Sequence, residues 1–274
     1  EQMRVHIRRR VRFSAAHSYE NIPDDVFQSG GGIGLTRRSV HGHNFTVDLS
    51  CSGQLDARTG MVVNITDVDR VLKGLLMPLH ESFLERDHPA VAWGIPSTEN
   101  LAVWIWRACE GRIPGARLER VRVWEDDFLW SDYMGDSGNT VYVTRAYEFA
   151  AAHRLHSPAL SEEENCRIFG KCNNPNGHGH NYILEVTVRG QVDPRSGLAC
   201  RIGEIDAVVN ECVVDRFDHR HLNLDLPEFA DLNPTSENIA VVIWNLLRPR
   251  LGDQLHRVCV RETERNYFEY YGEE

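Results

Sequence analysis

Apolar residues alternate with polar ones at the start of the chain, at Val5, Ile7, Val11 and Phe13, and again at Val141, Val143, Tyr147 and Phe149. A period of two puts successive side chains on opposite faces of a half-buried strand. A second alternating run passes through His41, His43, Phe45, Val47, Leu49 and Cys51, and another through His178, His180, Tyr182, Leu184, Val186 and Val188. Both histidines of each run therefore project from one sheet face. The period then lengthens: Val68, Val71, Leu72, Leu75, Leu76 and Leu79 keep the three-and-four spacing of an amphipathic helix, as do Ile239, Ile243, Leu246 and Leu247. Thr235 or Ser236 is the expected N-cap of the latter, with Glu237 in its first turn, where a negative charge is favoured. Strands ending near Glu125 and Glu262 close the two halves. The order strand, strand, helix, helix, strand, strand predicts an α+β fold with an antiparallel sheet.

The halves repeat one another. Phe13-Ser14-Ala15-Ala16-His17 recurs as Phe149-Ala150-Ala151-Ala152-His153 at an offset of 136 residues, and His41-Gly42-His43-Asn44-Phe45 as His178-Gly179-His180-Asn181-Tyr182 at 137. Asp87-His88 pairs with Asp218-His219 at 131, Glu99-Asn100 with Glu237-Asn238 at 138, and the strand ending in Glu125 with the one ending in Glu262 at 137. Five landmarks in one order indicate a tandem duplication. The glycine-containing run MGDSGNT, residues 134–140, marks the boundary, giving units 1–136 and 137–274 of ordinary domain size.

Composition narrows the function. A net charge of -10 argues against a nucleic-acid partner, though not against a local basic pocket. No run of about 18 apolar residues offers a membrane span. Seven cysteines without framework spacing suit reduced thiols, and the basic N-terminal stretch lacks the apolar segment of a secretory signal, so the cytoplasm is the expected compartment.

Two histidines at i and i+2 on a strand, with a third on a neighbouring strand, suit zinc. Three imidazoles leave a fourth position open for water or substrate, as in catalytic sites. The expected ligands are His153, His178 and His180 in the second unit and His17, His41 and His43 in the first. A single HGH would more often be a solvated strand; its repetition with the same third histidine favours the metal.

The run Cys172-Asn173-Asn174-Pro175-Asn176-Gly177-His178-Gly179-His180-Asn181-Tyr182, with Phe149 to His153, Asp218-His219, Pro234 to Asn238 and Glu262-Thr263, resembles the 6-pyruvoyl tetrahydropterin synthase family over the whole second unit. The first unit resembles it through its own landmarks, including Gly60-Met61-Val62. The resemblance implies two tandem tunnelling-fold (T-fold) units, each an antiparallel four-stranded sheet with two helices on one face. Such units assemble around a barrel, with sites between subunits. It also implies a zinc-dependent carbon–oxygen lyase that converts 7,8-dihydroneopterin triphosphate into 6-pyruvoyl tetrahydropterin with loss of triphosphate, a step of tetrahydrobiopterin biosynthesis.

By that resemblance Cys172 is the base, Asp218 and His219 are a second acid/base pair, and Glu262 anchors the pterin through two parallel hydrogen bonds. Thr235 and Glu237 would shape the pocket floor, and Arg154, Arg167 and Lys171 would meet the triphosphate. A thiol serves as a base only where positive charge or metal favours its thiolate. The related 6-carboxytetrahydropterin synthase of deazaguanine biosynthesis shares substrate, metal and thiol. The six-residue interval from Cys172 to His178 favours the pyruvoyl enzyme over it. A third reading is a paralogue that holds pterin without turning it over.

The first unit departs from the pattern. Leu35 stands six residues before His41 and Arg37 four before, so neither spacing carries a thiol, and Val40 supplies no substitute carboxylate. That unit is therefore expected to bind metal, with pterin binding left open, and not to catalyse the standard reaction. It would replace half the subunits of an ordinary oligomer, so that three tandem chains mimic a hexamer.

Overall fold

The computed structural model describes residues 4–20, 39–89 and 95–272; Leu35 and Arg37 lie outside the described residues. The chain divides into two compact units, residues 1–144 with Arg189–Gly203, and Arg145–Val188 with 204–274.

The first unit contains β1 (Arg4–His17), β2 (His41–Gln54), α1 (Ile65–Leu76), a two-residue β3 (Ser82–Phe83), the helical turn α2 (Leu84–Asp87), α3 (Thr98–Cys109), β4 (Arg117–Asp126) and β5 (Leu129–Tyr133). Its strands lie in the order β3-β1-β2-β4-β5. β1, β2, β4 and β5 are antiparallel, whereas β3 runs parallel to β1, with Ala15 opposite Ser82. The expected four-stranded antiparallel sheet is thus present, widened at its edge into a mixed one. Nothing in a two-residue strand produces a readable period, which is why alternation alone did not predict it.

Helices cover one sheet face. Val11, Phe13, Phe45, Val47 and Leu49 of the strands are buried, as are Val68, Leu72 and Leu76 of α1 and Leu101 and Ile105 of α3. Phe13 faces Phe45 across the strands, their rings stacked at 5.2 Å, a pairing of the kind that adds to sheet stability beyond burial alone. Asn64 caps α1 by accepting from the Thr66 N–H, and Arg9 ties the strand to the helix by donating from Nη2 to Asp69 Oδ2 at 2.8 Å. Ser97 caps α3, its Oγ accepting from the Asn100 N–H.

The second unit contains β6 (Thr140–His153), α4 (Glu162–Phe169), β7 (His178–Gln191) and α5 (Ile202–Val209). A π-helical turn, Asn210–Val214, leads from α5 into α6 (Asp215–Phe217). Then follow β8 (Arg220–His221), the turn α7 (Leu222–Asp225), α8 (Ser236–Leu251), β9 (Leu255–Thr263) and β10 (Asn266–Tyr270). The strand order β8-β6-β7-β9-β10 repeats that of the first unit. Phe149 stacks on Tyr182 at 5.1 Å as Phe13 does on Phe45. The ladder between β7 and β9 slips at Thr187/Val188, as that between β2 and β4 slips at Ser50/Cys51. Thr235 is the cap of α8, with its side chain accepting from the Asn238 N–H.

Two features differ from the sequence reading. Helix α4 carries a capping box in which Ser161 and Glu164 each satisfy the other's backbone N–H; the serine-to-glutamate spacing was a readable start signal. The pairing of Asp87-His88 with Asp218-His219 is corrected. Ala151 lies opposite Arg220 as Ala15 lies opposite Ser82, so the counterpart of Asp218-His219 is His80-Glu81. Asp87 instead matches Asp225: each accepts from the N–H four residues before it, of Phe83 and His221 respectively. Two near-identical dipeptides misled the alignment because only strand register distinguishes them.

Candidate active site

Strand β6 ends on His153 and β7 begins on His178, so antiparallel pairing brings the three imidazoles of the second unit together. One donor atom from each of His153, His178 and His180 lies within 4.8 Å of the others. The Nε2 atoms of His153 and His178 are 3.2 Å apart. Two nitrogens on tetrahedral zinc, with bonds of 2.0–2.1 Å, sit roughly 3.3 Å apart, so the donor set fits that ion. His180 Nε2 is buried with no hydrogen-bond partner among the described residues. The glycine between the ligands is required by close approach: a Cβ on Gly179 would meet the Ala151 carbonyl oxygen at 2.9 Å.

The imidazoles are held in the form a metal needs. His153 Nδ1 donates to the Pro234 carbonyl oxygen at 2.7 Å, which assigns the tautomer and turns the Nε2 lone pair inward. Burial is the main cause lowering the pKa values of His153 and His178, so both are neutral at neutral pH. Glu262 Oε1 stands 3.5 Å from His180 Nε2 and 3.8 Å from His153 Nε2, while its Oε2 accepts from Asn266 Nδ2 at 3.4 Å. The Tyr182 hydroxyl is 3.4 Å from His153 Nε2 and its pKa is raised, by burial first and then by Glu262 and Cys172.

Cys172 lies in a 3₁₀ turn, Gly170–Asn173, half-buried and in the reduced state. Its carbonyl accepts from the Leu155 N–H at 2.9 Å, fastening the turn two residues beyond His153. Arg154 donates to both the carbonyl and the side-chain oxygen of Asn173 and so braces the same turn. Arg167 and Lys171, the other two basic residues singled out, are exposed.

Asp218 and His219 form a rigid dyad. Asp218 Oδ1 accepts from the Ala150 N–H at 2.8 Å, and His219 returns its own N–H to the Ala150 carbonyl at 2.6 Å. His219 adopts φ 56°, an unusual conformation for a non-glycine residue and one that marks functional sites when the surroundings enforce it. Its Nδ1 donates to Asp218 Oδ2 at 2.8 Å. The Ala150 N–H, then the imidazole, hold the Asp218 carboxyl below its ordinary range. A cleft of about 550 Å³ is lined by His180 of the triad and His219 of the dyad, with Ala152, Gly179, Asn181 and His221. Thr235 and Glu237 sit at the start of α8, the first as the cap and the second exposed.

The first unit repeats the triad with different surroundings. Donor atoms of His17, His41 and His43 also lie within 4.8 Å of one another, and His17 Nδ1 bonds the Pro96 carbonyl at 3.1 Å. Burial, then the neighbouring imidazoles, lowers the His17 pKa to about 3. Where the second unit has Leu155 and Tyr182, the first has Tyr19 and Phe45. The Tyr19 hydroxyl donates to Glu125 Oε2 at 3.4 Å, and Glu125 Oε1 is 3.3 Å from His43 Nε2. In place of Asp218-His219 stands His80-Glu81: His80 Nδ1 accepts from the Ser14 N–H at 3.0 Å, and Glu81 takes φ 57°. The carboxylate and imidazole have exchanged positions. The start of α3 is covered, with Glu99 1% exposed: Ser97 Oγ donates to the Gly197 carbonyl at 2.6 Å and Glu99 Oε1 accepts from the Ala199 N–H at 3.4 Å.

The sequence profile of the 6-pyruvoyl tetrahydropterin synthase family matches residues 6–136 and again 142–273. Among similar proteins, the human 6-pyruvoyl tetrahydrobiopterin synthase is 46% identical over 132 residues, 48% of this chain and 91% of the relative. The Drosophila melanogaster protein of that description is 44% identical over 133 residues, 48% of this chain and 79% of the relative. The solved Caenorhabditis elegans 6-pyruvoyl tetrahydropterin synthase shares 42% identity over 49% of this chain and 96% of its own, with a TM-score of 0.47. With both halves matched, the chain belongs to the 6-pyruvoyl tetrahydropterin synthase family, as a tandem duplication within one polypeptide.

Proposed function

We propose that the second unit is a zinc-dependent 6-pyruvoyl tetrahydropterin synthase, acting on 7,8-dihydroneopterin triphosphate and releasing triphosphate. The observation that carries this reading is the convergence of three imidazoles beside a carboxylate, Glu262, with His180 and His219 lining one cleft. His153, His178 and His180 would hold the ion, which as a Lewis acid makes protons on carbons beside the substrate hydroxyls easier to remove. Glu262 receives the 2-amino and ring N–H groups of the pterin and sets which side-chain carbon faces the cleft. Cys172, as thiolate, takes a proton from that carbon. His219 returns a proton on the far side, its ring oriented by the bond from Nδ1 to Asp218 Oδ2. Loss of triphosphate is then an elimination needing no redox partner. The test is incubation with dihydroneopterin triphosphate and identification of products by mass. Triphosphate with 6-pyruvoyl tetrahydropterin is expected; acetaldehyde release or pterin returned unchanged would refute the assignment.

The working assembly in this reading is a closed ring of three chains. Support comes from a contact that is made once and left open once. Residues 196–199 cover the start of α3, and a Cβ on Gly197 would meet Asn100 Nδ2 at 2.1 Å. Of the repeat-equivalent residues 59–62, Thr59 to Met61 are open, with Met61 43% exposed and nothing within 4 Å of a Cβ on Gly60, while the Val62 side chain is buried. The equivalent helix start, Glu237 on α8, is open too. A second copy's Gly60–Val62 segment seated on Thr235–Asn238 would satisfy both, with the Val62 N–H donating to Glu237. Such a head-to-tail contact generates rings when the rotation closes. It also brings a partner's backbone beside the second unit's site.

A further inference from the structure

The two triads are alike, but the carboxylates beside them are not. In the second unit Glu262 Oε2 accepts from Asn266 Nδ2 at 3.4 Å, its one hydrogen-bond donor among the described residues, and position 155, two residues past His153, is a half-buried leucine. In the first unit the matching position is Tyr19, 3% exposed. Its ring centroid lies 5.2 Å from that of His17 and 5.6 Å from that of His41, tilted only 34° from the latter. Its hydroxyl donates to Glu125 Oε2, while Glu125 Oε1 faces His43. A flat aromatic ring therefore lies against the ligand imidazoles, with its polar tip on the carboxylate.

A pterin is also a flat ring, and it needs both oxygens of a carboxylate for its adjacent N–H donors. Tyr19 occupies that carboxylate from within the chain. It is buried and packed on two ligand rings, so moving it aside costs its packing as well as its hydrogen bond. We infer that Tyr19 is a specificity-determining plug: it keeps pterins out of the first unit's metal site, so that each chain takes one pterin, at Glu262. The thiol-less unit is then barred from holding substrate it cannot turn over. This rests on the reading of Glu262 as the pterin anchor.

Equilibrium titration of the zinc-loaded full chain with neopterin, an oxidised fluorescent pterin, tests both claims separately. The wild-type chain is expected to take one neopterin and Glu262→Ala none. Tyr19→Leu is expected to take two, returning to one in Tyr19→Leu/Glu125→Ala. The converse variant, Leu155→Tyr, should take none while keeping its zinc content, which secures the test should Tyr19→Leu fold poorly. Two neopterins on the wild-type chain, or full binding by Leu155→Tyr, would overturn the plug. So would one neopterin on Tyr19→Leu with an unchanged thermal transition. Full binding by Glu262→Ala would instead overturn the anchor reading beneath it.

Discussion

His153 Nδ1 and the Pro234 carbonyl oxygen are 2.7 Å apart, and this one bond couples the last residue of β6 to the segment that starts α8. It turns Nε2 toward His178 by using up Nδ1. His17 and Pro96 repeat the arrangement at 3.1 Å.

His153→Ala removes a ligand and the orienting bond together. Zinc affinity at the second site should fall by more than the roughly 10–100-fold typical of losing an outer-sphere partner. Metal analysis after dialysis against a competing chelator measures it, and retention at wild-type strength would contradict the ligand set.

Acid should weaken the metal-free protein through the first triad. His17 titrates near 3 in the folded chain, held down chiefly by burial, against about 6.5 when unfolded. Between those values the unfolded state binds more protons, so stability rises with pH and is lost as pH falls from about 6.5 toward 3. From pH 6.5 to 5 the loss from this group is about 2 kcal/mol. Urea midpoints in the presence of chelator at the two pH values check it; equal midpoints would contradict it.

Asp218→Asn keeps an acceptor for the Ala150 N–H but weakens the charge-assisted bond that orients the His219 ring. Turnover should drop by about 10²–10⁴-fold, the range for one acid/base group, with KM changed far less. A comparable rise in KM alone would recast Asp218 as a binding residue.

Cys172→Ala should abolish triphosphate release while leaving zinc content and neopterin binding intact. Undiminished release would place the base elsewhere in the chain.

Gly60→Val and Gly197→Val separate the two contact surfaces. Both positions have φ 71°, so each substitution carries backbone strain of about 1–2 kcal/mol. Only Gly197 adds a clash within the chain, with Asn100. Gly60→Val should therefore leave the single chain folded yet break the ring, read as a fall in mass by light scattering. An intact trimer in that variant would exclude residues 59–62 from the interface.

The sequence by itself determined the duplication, the strands carrying each HGH, the long helices and the six histidines, because alternation, three-and-four spacing and repeated motifs are local properties of the chain. It also pointed to the family through one contiguous run, Cys172 to Tyr182. Register was not local. Whether Asp218-His219 matches Asp87-His88 or His80-Glu81 depends on which residues of β6 and β8 lie opposite each other, and that is settled by packing in three dimensions. Tyr19 was equally invisible: nothing within two residues of His17 signals a carboxylate 106 positions away in sequence, and only the closing of β4 beside β2 brings Glu125 to its hydroxyl. Short-range periodicity encodes which face a side chain takes, while the identity of its partner comes from the long-range pairing of strands.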